Sequence, residues 1–247
     1  MTNTVYFIQS RAVRRCLSQS RITPSSFKIN GIDIKAQAID LTRAIFKNAG
    51  INPAFFMPGA RLFLLDPIQY DNFCKVTDLS SKEKNGFYPL SKKGEEKKVM
   101  LGELDYLSNP SRTVVLPSDC KKADLMHELA HDIFLGGGIS KEDREAFFKL
   151  AICEARRVLN TAPGSQEAYF IRRVSNSGRK RFNLKELISI KELSSLTYEQ
   201  RVFAGELFAY AIEMKITKDR SLGKIPAEID IYIEENKFVR RRFFSIF

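Results

Sequence analysis

The stretch Met126-His127-Glu128-Leu129-Ala130-His131-Asp132 constrains this chain more than any other. It contains HELAH, a form of HExxH. Histidines four apart lie one turn from each other on one face of a helix, so both imidazoles reach a single metal ion. Glu128 then falls beside the metal, where its carboxylate can take a proton from water. The chain has two histidines in all, and both sit in this pattern. A bare HExxH arises by chance in many chains; one that uses every histidine is far rarer. Such a site needs a rigid, half-buried helix, and the flanks provide the signals for one. Arg112 to Pro117 reads as a short strand ended by proline. Ser118 or Asp119 can cap a helix starting near Cys120. Leu125, Leu129, Ile133 and Phe134 form its apolar stripe, and Gly136-Gly137-Gly138 stops it.

Two imidazoles leave a metal site incomplete, since a catalytic zinc has three protein ligands and an open position. There is no third histidine, so a downstream carboxylate is the usual solution. Asp132 follows His131 but faces another side of the helix. Glu154 lies on an apolar helix, with Arg156 and Arg157 offering a plain salt bridge. Glu206 is the first choice: it is a lone carboxylate within Phe203-Ala204-Gly205-Glu206-Leu207-Phe208-Ala209-Tyr210-Ala211-Ile212. Burying such a group is costly unless a cation neutralises it, and Zn²⁺ would. Gly205 and Ala209 are small enough to let this helix approach the HELAH helix closely.

A strand, then HELAH, then a helix with Glu206-Leu207-Phe208-Ala209 resembles the glutamate zincins, the group of the anthrax lethal factor catalytic domain and the Pro-Pro endopeptidases. The resemblance covers about residues 112–247. It implies an α+β, zincin-like fold: a small mixed sheet with an edge strand before the HExxH helix, then a mainly helical C-terminal half carrying the glutamate ligand. It implies a zinc metallopeptidase in which His127, His131 and Glu206 hold Zn²⁺ and Glu128 is the general base. Those relatives place a tyrosine seven residues before the ligand glutamate. Here that position is Glu199, with Tyr198 one residue further away. Tyr198 and Tyr210, one turn after Glu206, are the two candidates for stabilising an oxyanion.

The rest of the chain fits around this. Residues 1–32 carry no acidic residue, with Arg11, Arg14, Arg15, Arg21 and Lys28 among serines and threonines. Residues 1–30 therefore read as a basic arm or a targeting segment, and 31–247 as the peptidase domain, divided into 31–135 and 136–247. Ile32 to Ala49 follows helical spacing and ends at Gly50. Arg61–Leu65 reads as a strand, 87–90 with 98–101 as a hairpin, and the strand at 113–117 as a free edge for an extended peptide. Lys141 to Leu159, capped by Ser140, and Thr197 to Met214 read as helices. Residues 165–195 are mixed, with a basic patch at Arg172, Arg173, Arg179, Lys180 and Arg181. A last helix runs from Pro226 to the end; its basic-aromatic finish packs on the domain or touches a membrane.

With 247 residues, 44% of them hydrophobic, the chain can bury a sizeable core. It has no apolar run of transmembrane length. The cysteines at 16, 74, 120 and 153 show no CxxC spacing and read as thiols of a reducing compartment. The net charge of +11 points to an acidic partner, a nucleic acid or an anionic surface. The expectation is thus a monomeric zinc endopeptidase with a protein or peptide substrate. It would be cytoplasmic, or a bacterial effector or toxin delivered to a host cell without a cleaved Sec signal. The alternatives are a catalytically inactive zincin-fold protein that binds a peptide or polyanion, and a nucleic-acid-associated protease.

Overall fold

The computed structural model describes residues 8–29, 32–76, 113–176, 182–189 and 196–240. In chain order they form α1 (Arg11–Cys16), β1 (Ile22–Ile29), β2 (Ile32–Asp40), α2 (Arg43–Ala49), β3 (Arg61–Leu65), α3 (Pro67–Val76) and β4 (Thr113–Pro117). Then follow α4 (Lys122–Leu135), α5 (Lys141–Thr161), α6 (Gln166–Ser175), α7 (Leu184–Ile188), α8 (Tyr198–Thr217) and α9 (Ala227–Glu235). The strands make one mixed sheet in the order β1-β2-β3-β4. The first two pairings are antiparallel and β3–β4 is parallel. The architecture is α+β, with the sheet built from the first half of the chain and the second half helical.

The expected helix over 32–49 is a strand followed by a helix. From Ile34 to Ala38 side chains alternate, and Ile34, Ala36 and Ala38 pack with Phe63, Leu65 and Val115 under Tyr70 and Phe73 of α3. The same residues also satisfy a helical spacing, but β2 has β1 and β3 as hydrogen-bonding neighbours, which decides the outcome. Only α2 is helical, capped by Thr42 and closed by Gly50 in the left-handed region at φ 95°. The opposite face of the sheet carries Ile39, Leu62, Leu64, Val114 and Leu116 into the main core. Val13, Cys16 and Leu17 join that core, so α1 is packed onto the sheet-bearing half. The hairpin expected at 87–101 lies outside the described residues. Strand β4 is the last strand in the order of the described sheet, and all five of its residues are buried.

The helical half is held by phenylalanines. Phe134 of α4 stacks on Phe208 of α8 at 4.6 Å and meets Phe147 and Phe148 of α5 edge-on at 5.3 Å. Such pairs add about 0.5–1.5 kcal/mol each beyond the area they bury. The last helix stops at Glu235, because Lys237 takes a positive φ of 55° and the chain reverses. Phe238 is then buried against Phe55, Phe208 and Tyr232, and Val239 bridges to Ile51. Of the basic-aromatic finish, this part packs; residues 241–247 lie outside the described residues. The mixed region 165–195 holds α6 and α7, while Arg179, Lys180 and Arg181 are outside the description. Of the thiols, Cys16, Cys74 and Cys120 are buried and Cys153 is exposed. Among the described residues no helix is long and apolar enough to cross a membrane.

Candidate metal centre

Helix α4 begins at Lys122, two residues later than the sequence suggested, and neither Ser118 nor Asp119 caps it. Instead the Asp124 carboxylate accepts the Lys121 N–H at 2.6 Å. Its apolar stripe is buried as expected: Leu125, Leu129, Ile133 and Phe134 are each at most 1% exposed. At the other end Arg144 of α5 donates to the carbonyls of Phe134 and Leu135. Those carbonyls have no partner within the helix, so the guanidinium closes its C-terminus. Helix α8 lies along α4. It is capped by Thr197, which accepts the Gln200 N–H while the Gln200 side chain accepts the Thr197 N–H.

Where the two helices meet, His127, His131 and Glu206 converge. The His127 and His131 Nε2 atoms are 3.2 Å apart. Glu206 places one carboxylate oxygen 3.4 Å from each of them. Four ligands about 2.0–2.1 Å from a tetrahedral ion are separated by about 3.3–3.4 Å, close to the separation of the two Nε2 atoms, and one donor atom from each of the three residues lies within 4.8 Å of the others. A proton bridges two atoms; three lone-pair donors converging at this spacing suit one central cation. The residues therefore fit a divalent metal. Glu154 does not join them. Its buried carboxylate is taken by Arg157 in a two-pronged pair at 2.7 and 2.8 Å and faces the N-terminus of α9 at Glu228. Asp132 is buried on α4 and stands outside the cluster.

One residue of the centre escaped the sequence reading. Glu213 sits two turns after Glu206 on α8, and its Oε2 lies 3.2 Å from His127 Nδ1. A carboxylate only accepts, so Nδ1 carries a proton, and Nε2 is the nitrogen that would face a metal in the centre. The signal was the spacing: residues 206 and 213 share one helix face, and 210 lies between them. Tyr210 fills that gap, its ring edge-on to His127 at 4.3 Å between centroids. Tyr198 is eight residues before Glu206, about 12 Å back along the helix axis. Gly205 does not set the helix approach: a Cβ there would meet Phe134 at an ordinary 3.9 Å.

The electrostatics follow from burial. Burial opposes a charged His127 ring, but hydrogen bonds to Glu206 and Glu213 outweigh it and hold its pKa well above the ordinary histidine value. Burial also opposes the Glu206 carboxylate, and the His131 and His127 rings overcome it, holding the group well below the usual range. Burial pushes Asp124, one turn before His127, up to about 6, against the Lys121 N–H and with the charge of Glu213 adding. Glu128 lies beside His127 with 6% exposure. The centre thus joins two imidazoles to an excess of carboxylate, an arrangement that favours a cation.

Comparison of the chain with family models, with curated proteins and with solved structures gave no match to any of them.

Proposed function

We propose that this chain is a zinc-dependent endopeptidase of the glutamate-zincin kind, with a zincin-like arrangement of sheet, HExxH helix and ligand helix. The observation that carries the proposal is the triangle of His127, His131 and Glu206 at 3.2–3.4 Å with Glu128 next to it. Two imidazoles and one carboxylate are a zinc donor set that leaves a fourth position open. When bound there, zinc would acidify a water and polarise the carbonyl of a peptide. Glu128 takes the proton of the attacking water on its carboxylate. It then delivers that proton to the amine nitrogen as the C–N bond breaks, so acid and base are the same group in turn. Glu213 holds the His127 ring in the tautomer whose Nε2 faces the centre. Tyr210, against that ring, is favoured over Tyr198 to donate a hydrogen bond as negative charge grows on the carbonyl oxygen.

The test is proteomic mapping of new N-termini in a lysate treated with wild type or with Glu128→Ala, alongside metal analysis of both. Wild type should contain about one zinc and generate new termini; the variant should keep zinc and generate none. Equal cleavage by the variant would overturn the role of Glu128. Zinc without cleavage of any substrate would favour a binding protein, and no metal at all would remove the proposal.

A further inference from the structure

A second feature of the molecule lies apart from the metal centre. The segment 1–32 has no acidic residue, and the structure shows where its cations go. On α1 the buried residues are Val13 and Cys16, which leaves Arg11, Arg14 and Arg15 exposed on the other side. On α2 the buried residues are Ile45, Phe46 and Ala49, which leaves Arg43 and Lys47, one turn apart, exposed. The two helices are tied together at their C-terminal ends: Cys16 Sγ donates to the Asn48 carbonyl, and the Asn48 amide donates to the Cys16 carbonyl. Arg15 and Lys47 each neighbour a residue of that reciprocal pair, so one cation of each helix borders the seam, with the other exposed cations one turn or less along the same helices. The Gln9 N–H donates to the Ser118 carbonyl, bringing the start of α1 against the turn that leads into α4. Lys122 opens α4 there. Burial raises the pKa of the Cys16 thiol, and the nearby Lys122 and Arg15 charges pull the other way.

We infer that the seam of α1, α2 and the start of α4 is a phosphate-binding surface for the backbone of double-stranded nucleic acid. Arg11, Arg14, Arg15, Arg43, Lys47 and Lys122 form it, with exposed Asp119 three residues before Lys122 and exposed Asp40, paired with Arg61, three before Arg43. None of the five cations on α1 and α2 is in an ion pair among the described residues, so all five are available to a polyanion. Four of the six are arginines, whose planar forks suit phosphate oxygens. Ser18 and Gln19 are exposed at the end of α1, adding neutral hydrogen-bonding groups of the kind that contact phosphates. The exposed positions of α1 and α2 carry no large apolar side chain to insert into a bilayer, which favours a nucleic acid over a lipid surface. Nothing here aims a side chain at base edges, so binding is indifferent to sequence.

The experiment is fluorescence anisotropy of a labelled mixed-sequence DNA duplex with the full chain across a salt series. Each cation on a phosphate contributes about −0.9 to the slope of log affinity against log salt, so full engagement of the seam gives a slope near about −5. The variant Arg14→Gln/Arg15→Gln/Lys47→Gln should flatten the slope by about 3 and weaken binding severalfold at low salt. These side chains are exposed, so an unchanged thermal midpoint confirms an intact fold. Arg172→Gln/Arg173→Gln on α6 is the control and should leave binding unchanged. Glu128→Ala should also bind like wild type, which separates this surface from the proposed peptidase. No binding at low salt, equal loss in the α6 control, or binding to phosphatidylserine vesicles without binding to the duplex would each overturn the assignment.

Discussion

Replacing Glu213 by Gln keeps the side chain's volume and removes its charge. In the wild type its oxygen lies 3.2 Å from His127 Nδ1, and both side chains are 13% exposed, so water screens the pair little. The carboxylate fixes the ring's tautomer and makes Nε2 a better donor. Loss of such a partner lowers metal affinity by about 10–100-fold, or about 1.4–2.7 kcal/mol. Glu213→Gln can still accept the Nδ1 proton through its amide oxygen, so it belongs near the lower figure; Glu213→Ala belongs near the upper. The assay is competition for zinc against a chromophoric chelator at neutral pH, with Glu199→Gln, exposed on the same helix, as control. The pH dependence adds a second readout. Hydrogen bonding to Glu206 and Glu213 holds the metal-free His127 protonated above the usual histidine range, and a metal must displace that proton. Affinity should therefore fall as pH is lowered, first in the wild type, and the gap to Glu213→Gln should narrow. A Glu213→Gln affinity within about twofold of wild type, or an equal loss in Glu199→Gln, would refute the reasoning.

Further outcomes follow from other parts of the fold. Tyr210→Phe should retain zinc and the ring contact to His127 while slowing peptide cleavage by about 10²–10³ in kcat; Tyr198→Phe should leave kcat unchanged, and steady-state kinetics decide between them. Arg157→Ala should lower stability at neutral pH, read by chemical denaturation, because it strips two charge-assisted bonds from buried Glu154. Arg157 lowers the Glu154 pKa, so this contribution is present above the ordinary carboxylate value of 4.5 and is lost as pH falls through the lowered one. The cost of the substitution should shrink accordingly in acid. Gly205→Ala should stabilise by about 0.5–1 kcal/mol, since it improves helix propensity where a Cβ has room. Gly138→Ala should instead destabilise by about 1–3 kcal/mol, because its Cβ would meet the Phe55 carbonyl oxygen and that backbone must shift. Thermal denaturation of the pair checks both signs.

The cluster of His127, His131 and Glu206 was legible in the sequence because its parts obey local rules. HELAH fixes two donors by helix periodicity alone. Glu206 stood out as the one charge in the apolar stretch from Phe203 to Ile212. The starts of α5 and α8 were equally plain, since Ser140 and Thr197 are strong caps. What failed was decided at a distance. Ile32 to Ala49 satisfied a helical period, but pairing with β1 and β3 made its first part a strand. The pair Asn30-Gly31 between the two hydrophobic runs was the overlooked sign, being the strongest short hairpin signal a sequence offers. Glu213 was missed because its partner lies 86 positions away and α8 has too many apolar residues to show which face matters. The stop at Glu235 was hidden because helix propensity continues past it; Phe238 turns inward toward aromatic neighbours from three other segments.

Phe238 also bears on how the molecule is made. The Asn52 N–H donates to the Phe238 carbonyl and the Arg240 N–H to the Gly50 carbonyl, so a residue near the beginning waits for one translated nearly 190 positions later. At about 5–20 residues per second, a ribosome leaves this closure between residues 50–52 and 238–240 unmade for roughly ten seconds or more. During that interval the growing chain shows Phe46, and later Phe134, to whatever is nearby, and holding chaperones are the natural company for it.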